Sequence, residues 1–381
     1  MQQLVLAVLA GSLVAGCYCS HEREPAPAHA DGGHGWDGAA DDSGAAHDAS
    51  IGTPADDLPG PLASVCIGLF HACASTDDGE VHCWGNNGLG QVGDGTLEWR
   101  EQPVRVEGLP PVRRIRCAHR TNTCAVSESG AVYCWGALGA LGPSLSPGTT
   151  ETLGDAVVRP VRMDRLESGV TDVVMARDFT CALRGAIADC WGEREDGEPY
   201  IQRGLEVGAI VHSSPHAPGA CELRADGTAL FHASISWRLD ARVLAEGVRQ
   251  LTCSDGNAHS EPRTPHYEVC FSTEPGHYRC GDVDGTFAPA PVYDGFQQIA
   301  IGTQLACGIH GAGEVACRSM NDWLDAVPST DEWAMIALPE PAAWIGAAGA
   351  SVCAVSESGR MWCWGSWPPR YRQPLTEITF R

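Results

Sequence analysis

From residue 61 onward, apolar and polar positions alternate in short runs of period two, and no run sustains a 3.6-residue period. "QPVRVEG" at 102–108, "PVRRIRC" at 111–117, "GVTDVVMA" at 169–176, "GVRQLTC" at 247–253 and "FQQIAIG" at 296–302 are of this kind. Alternation bounded by Gly and Pro predicts β-strands with one buried face, and it excludes an amphipathic helix. Between these runs recurs a hairpin pattern with two cysteines nine or ten residues apart, as in "HACASTDDGEVHCWG" at 71–85 and "SVCAVSESGRMWCWG" at 351–365.

Aligned on the first cysteine of each hairpin, the pattern occurs at 73, 124, 181, 221, 270, 307 and 353, about 47 residues apart on average. The copy at Cys221 has Phe231 where its second cysteine belongs. Each unit reads as a Pro-bearing strand ("QPVRVEG", "RPVRMDRL", "APVYDG"), a second strand, then the cysteine hairpin. Four antiparallel strands repeated seven times predict an all-β fold, a seven-bladed β-propeller of four-stranded blades over 61–381. The first unit begins at its second strand, "PLASVCIG", whereas 373–380, "QPLTEITF", is a Pro-bearing strand with no unit after it. The expectation is that this C-terminal strand pairs into the first blade and closes the ring, removing two open sheet edges.

Unit 1 carries Gly68, His71, Ala74, Gly79, Val81, Trp84, Gly85, Asn87, Gly90, Gln91, Gly93, Asp94 and Gly95 in the order G-x-x-H-x-C-A…D-G-x-V-x-C-W-G-x-N-x-x-G-Q-x-G-D-G. This string resembles the regulator of chromosome condensation repeat family. The resemblance extends over 61–381, is strongest in unit 1, good in units 2, 3 and 7, and worn in units 4 to 6, where the Trp-Gly is missing. It implies a seven-bladed propeller, the number reached above from the cysteines alone.

Within that string, Gly88-Leu-Gly90-Gln-Val-Gly93 is a literal G-x-G-x-x-G after a strand. A dinucleotide fingerprint must open a helix within a βαβ unit and be followed about 20 residues on by an acidic ribose ligand. Here "DGTLEWREQPVRV" follows, with Gly95 and Pro103 and no helical period. The glycines are therefore expected to supply positive-φ turns and close approach between blades. His71 stands where other units carry Asn122, Leu305 or Ser351, so a structural hydrogen bond is expected of it rather than catalysis.

The 381 residues carry a formal charge of −23, and the 25 basic residues are all Arg. Such a surface repels nucleic acid and anionic membranes. The apolar "LVLAVLAGSLVAGC" at 4–17 predicts a signal peptide over 1–16, and Val14-Ala15-Gly16-Cys17 resembles a bacterial lipobox with Cys17 as the lipidated residue. The n-region "MQQ" departs from the usual pattern in having no Lys or Arg. Residues 17–60 are rich in Ala, Gly, Pro and Asp, without periodicity, and predict a disordered acidic tether. Its histidines His21, His29, His34 and His47 match no coordination geometry. The expected location is outside the cytoplasm, on the cell envelope, with the lipid as the one membrane attachment, and the expected state is a monomer.

Eighteen cysteines fit an oxidising compartment. Hairpin geometry sets the two cysteines of each unit opposite one another, within reach of a bridge. Six disulfides are expected: Cys73–Cys83, Cys124–Cys134, Cys181–Cys190, Cys270–Cys280, Cys307–Cys317 and Cys353–Cys363. Cys66, Cys117, Cys221 and Cys253 stay unassigned. No C-x-x-C knuckle suggests zinc. Asp282-Val-Asp284-Gly285 lacks the third ligand and the closing Glu of a calcium loop, so no metal and no cofactor are expected. Neither H-E-x-x-H, G-x-S-x-G nor a Walker loop occurs, so no catalytic residue is assigned and no enzyme activity is expected.

What remains is binding. With strands alternating in direction, the second-to-third and blade-to-blade connections share one face, and these vary in length: 86–101, 137–158, 254–268, 319–332 and 366–372. Long connections on a rigid scaffold are where function concentrates, and Trp, Tyr and Arg dominate interface energies. Trp99, Arg100, Trp323, Trp367, Arg370 and Tyr371 are the candidate binding residues, for an unknown protein or an envelope or extracellular ligand. Two other functions follow from the resemblance: inhibition of an enzyme, as in β-lactamase inhibitory propellers, and nucleotide exchange on a Ran-type GTPase. The acidic tether and the signal stretch speak against the latter.

Overall fold

The computed structural model describes Leu58 and residues 60–380, except 119–120, 138–150, 176–178, 194–198, 208, 215–218, 236–237, 254–268, 282–286, 288–292, 303–304, 320–332 and 368–369. The expected signal stretch, Cys17 and nearly all of the tether lie outside the described residues.

Among the described residues twenty-nine strands form seven sheets, at 62–105, 112–162, 172–206, 209–245, 250–294, 296–336 and 342–378, and no helix occurs. This is the seven-bladed antiparallel propeller that the repeats predict. Six sheets have four strands; the second has a fifth, Thr152–Leu153, folded back on Ala156–Arg162. The first strand of each blade touches the first strand of the next, and Leu62–Ile67 of the first blade touches Ala342–Ala348 of the last. The first strands therefore line the inside of the ring.

The phase of the blades differs from the expectation. The Pro-bearing strand is the fourth, outer strand of the blade preceding it in sequence: Arg100–Arg105 completes the first blade, Ala156–Arg162 the second and Arg370–Ile378 the seventh. The C-terminal strand accordingly pairs with Met361–Trp367 of its own blade, through Met361↔Ile378 and Cys363↔Thr376, and not with the first blade. The reason is the missing N–H of proline, which a strand paired on both sides cannot tolerate but an outer edge can. Pro103 and Pro374 occupy outermost strands, and Pro160 lies beyond Ala156 and Val157, the two residues at which the added strand Thr152–Leu153 pairs.

Side chains close the ring instead. Leu62, Val65 and Trp84 of the first blade share a buried cluster with Trp344, Val355, Met361 and Ile378 of the seventh. Phe380 meets Trp84 edge-on, ring centroids 6.1 Å apart. Gly60 and Pro61 pack against the hairpin turn at Gly359.

In six blades the two hairpin cysteines face each other in register and are joined, with Cα atoms 3.9–4.1 Å apart. Two further bridges run between blades: Cys66–Cys117 joins the first to the second, and Cys221–Cys253 the fourth to the fifth. Register explains both. Position 66 lies opposite hairpin residue 73, and in blades 2 and 5 the equivalent places are held by Arg116 and Thr252. Cys117 and Cys253 come one residue later, so strand alternation turns them toward the preceding blade. Cys221 faces Phe231 across its hairpin, which leaves its sulfur available to Cys253.

Candidate functional site

The connection 86–99 between the third and fourth strands of the first blade contains the G-x-G-x-x-G, and its side chains fold it onto itself. Asn87 Oδ1 accepts from Val92 N at 3.0 Å, while Asn87 Nδ2 donates to Thr96 O at 2.9 Å and to Asp94 Oδ1 at 3.0 Å. Arg100 Nε reaches Asp94 at 2.5 Å. Partial burial pushes the Asp94 carboxyl up, but hydrogen bonds from Thr96 and Arg100 outweigh it and hold the group below the usual carboxylate range.

The same loop is keyed into the second blade. Gln91 O accepts both Thr123 Oγ1 at 2.8 Å and the Trp135 indole N–H at 2.9 Å, and Gly95 N donates to Val158 O at 2.8 Å. His71 Nε2 lies 3.1 Å from Thr123 Oγ1. Burial drives the His71 pKa down to about 4, only partly opposed by a backbone hydrogen bond at Asn122, so the ring is neutral near pH 7. Gly93 has φ +79°, and a Cβ there would stand 2.6 Å from Trp135 Nε1. Gly90 has φ +76°, with Val157 O 2.9 Å from the same hypothetical atom. Gly88 has ordinary space, and its nearest neighbour would be Asn86 Oδ1 at 3.4 Å. The motif residues thus hold two blades together. No helix follows them, and the loop N–H groups that a phosphate would need are partly used within the fold.

Outside this framework the loop presents apolar and acidic groups. Leu89 and Leu97 are exposed, as is Leu153 on the added strand of the second blade. The Glu98 and Glu151 side chains are also open, at 77% and 58% exposure. Trp99 is half-buried with its indole nitrogen enclosed and without a partner among the described residues. Arg100 is committed to Asp94 and Glu98.

Of the remaining candidates, Trp367 and Arg370 pair across the end of the last hairpin of the seventh blade, and Tyr371 follows in the same strand. That hairpin and the loop 86–99 are both third-to-fourth connections of adjacent blades, so antiparallel order sets them at the same face. With the observed blade phase, all five varying segments lie within blades, 86–101, 137–158, 319–332 and 366–372 as third-to-fourth connections and 254–268 as a first-to-second one, and the blade-to-blade links expected to vary are the short ones. Trp323 lies outside the described residues. The leucines at 89, 97 and 153 went unmarked in sequence because aliphatic residues in an alternating chain read as core; only their place on loops could have flagged them.

The sequence pattern described as "Regulator of chromosome condensation (RCC1) repeat" matches residues 63–91 and, in a second form, 78–125. The "RCC1 domain-containing protein RUG3, mitochondrial" of Arabidopsis thaliana is 31% identical over 150 residues, 38% of this chain and 33% of the relative. A "Protein RCC2 homolog" of Danio rerio is 35% identical over 98 residues, 23% of this chain and 20% of the relative. The chain therefore spans a third or less of these relatives. Among solved structures, Prp20p from Saccharomyces cerevisiae superposes with a TM-score of 0.41 at 15% identity, covering 83% of this chain and 76% of its own. Human WBSCR16 gives 0.42 at 16%, covering 85% and 83%. Residues 63–125, which hold His71, the G-x-G-x-x-G loop and its anchor Thr123, carry repeats of the regulator of chromosome condensation type.

Proposed function

We propose that this chain is a non-enzymatic binding scaffold outside the cytoplasm, lipid-anchored through Cys17, with 1–16 as its signal peptide and 17–60 as a flexible tether. The propeller would present its long-connection face, around Trp99, Arg100, Trp323, Trp367, Arg370 and Tyr371, to a protein partner. One observation carries this reading: the loop 86–99 is braced internally and against the second blade, yet leaves Leu89, Leu97 and Glu98 to solvent. A pre-ordered loop loses little entropy on binding. Eight disulfides agree with an oxidising location.

The test is capture from envelope and medium fractions with the full chain as bait. Recovery of one stoichiometric protein whose binding Trp99→Ala or Tyr371→Ala weakens, at unchanged Tm, supports the reading. Turnover of a substrate, or binding lost only on changing the short turns at 77–80 and 128–130, overturns it.

A further inference from the structure

All sixteen cysteines among the described residues are bridged, and fifteen of these are buried, Cys117 being the partly exposed one. Its bridge to Cys66 also has a sulfur neighbour. The Sγ atoms of Cys66, Cys73 and Cys117 all lie within 4.8 Å of one another, and Cys66 stands directly opposite Cys73 on the adjacent strand. Disulfides exchange by thiolate attack on a sulfur, at rates governed by access. We propose that Cys66–Cys117 is a thiol-exchange site, opened at the Cys117 sulfur by a dithiol oxidoreductase, and that it acts as a reversible covalent latch between the first and second blades.

A thiolate of the oxidoreductase attacks Cys117 Sγ; a mixed disulfide forms, the Cys66–Cys117 bond breaks, and its electron pair leaves on Cys66, which takes a proton. The second thiol of the oxidoreductase then attacks its own sulfur in the mixed disulfide and releases Cys117 as a thiolate, which is protonated in turn. The latch has gained two electrons and two protons, and the dithiol has become a disulfide. Before it takes up that proton, or on losing it again to solvent, the Cys66 thiolate lies beside Cys73, and attack there forms Cys66–Cys73, breaks Cys73–Cys83 and leaves the charge on Cys83, which is protonated in turn. The cluster can thus move its break inward without a further oxidant.

The two blades remain docked when the latch is open. Ser64 Oγ bonds to Ile115 N at 3.2 Å, His71 to Thr123, and Gln91 O to Thr123 and Trp135, all across the same seam. The other inter-blade bridge supplies an internal control, since Cys221 and Cys253 are 0% and 7% exposed.

The experiment treats the native full chain with dithiothreitol, quenches with iodoacetamide at intervals and maps the label by mass spectrometry. Cys117, together with Cys66 or with Cys83 where the break has moved inward, should be labelled on the order of ten times faster than Cys221, Cys253 or Cys307, with circular dichroism unchanged. Hairpin cysteines other than Cys83 labelled first, or Cys117 labelled only as the chain unfolds, would overturn the proposal. In Cys66→Ser, the unpaired Cys117 should react with an aromatic disulfide reagent while the protein is folded; a folded variant with an inert Cys117 also refutes it.

Discussion

Replacing Gly93 with Ala isolates what the G-x-G-x-x-G is for. The residue sits at φ +79°, where an L side chain costs about 1–2 kcal/mol. The added Cβ would lie 2.6 Å from Trp135 Nε1, so the fully buried indole must shift and lose its hydrogen bond to Gln91 O. An orphaned buried donor costs a further ~1–3 kcal/mol. The total is about 3 kcal/mol, which for a domain of this size lowers Tm by roughly 6 °C. Gly88→Ala is the matched control: Gly88 is exposed and its Cβ finds open space apart from Asn86. Thermal melts under non-reducing conditions should show Gly93→Ala several degrees below the parent and Gly88→Ala within a degree or two. Equal effects of the two would refute the argument that blade packing, not a ligand, demands these glycines.

Three other outcomes follow. The His71 pKa is held near 4, below its ordinary 6.5, so the unfolded chain takes up the proton first. Stability is therefore whole above pH 6.5 and falls as pH drops from 6.5 toward 4, by up to about 3 kcal/mol; urea titrations of parent and His71→Gln should show this slope only in the parent. Deleting 373–381 removes an outer strand together with Ile378 and Phe380, and should lower Tm by several degrees, read by calorimetry; an unchanged melt contradicts closure by side-chain packing. Cys17→Ala should abolish palmitate labelling and release the protein from the membrane fraction, scored by fractionation and immunoblot.

Much of the fold is legible because six of the seven blades repeat a paired-cysteine hairpin, and the fourth keeps its first cysteine, even where the Trp-Gly has worn away. Blade phase is not, since a Pro-bearing alternating run can begin one unit or end another. Only the rule that proline belongs where its strand has no outer hydrogen-bond partner separates the two, and it places Pro103 and Pro374 in outermost strands and Pro160 past the short added strand. The bridges of Cys117 and Cys253 were hidden for a related reason: a one-residue offset reverses the face, and that offset appears only once strand register is known. At the candidate site, Asn87, Gln91 and Gly93 could be recognised as structural from the absence of a following helix. That Gln91 serves through its carbonyl, and that the groups donating to it come from the next blade, depends on blade contact that no local pattern encodes.

The most direct test of the binding-face assignment is hydrogen exchange on the full chain, with and without the captured partner. Protection gained at 86–101 and 366–373 is the predicted result. Protection confined to the short turns at 77–80 and 128–130, on the opposite face, would contradict it.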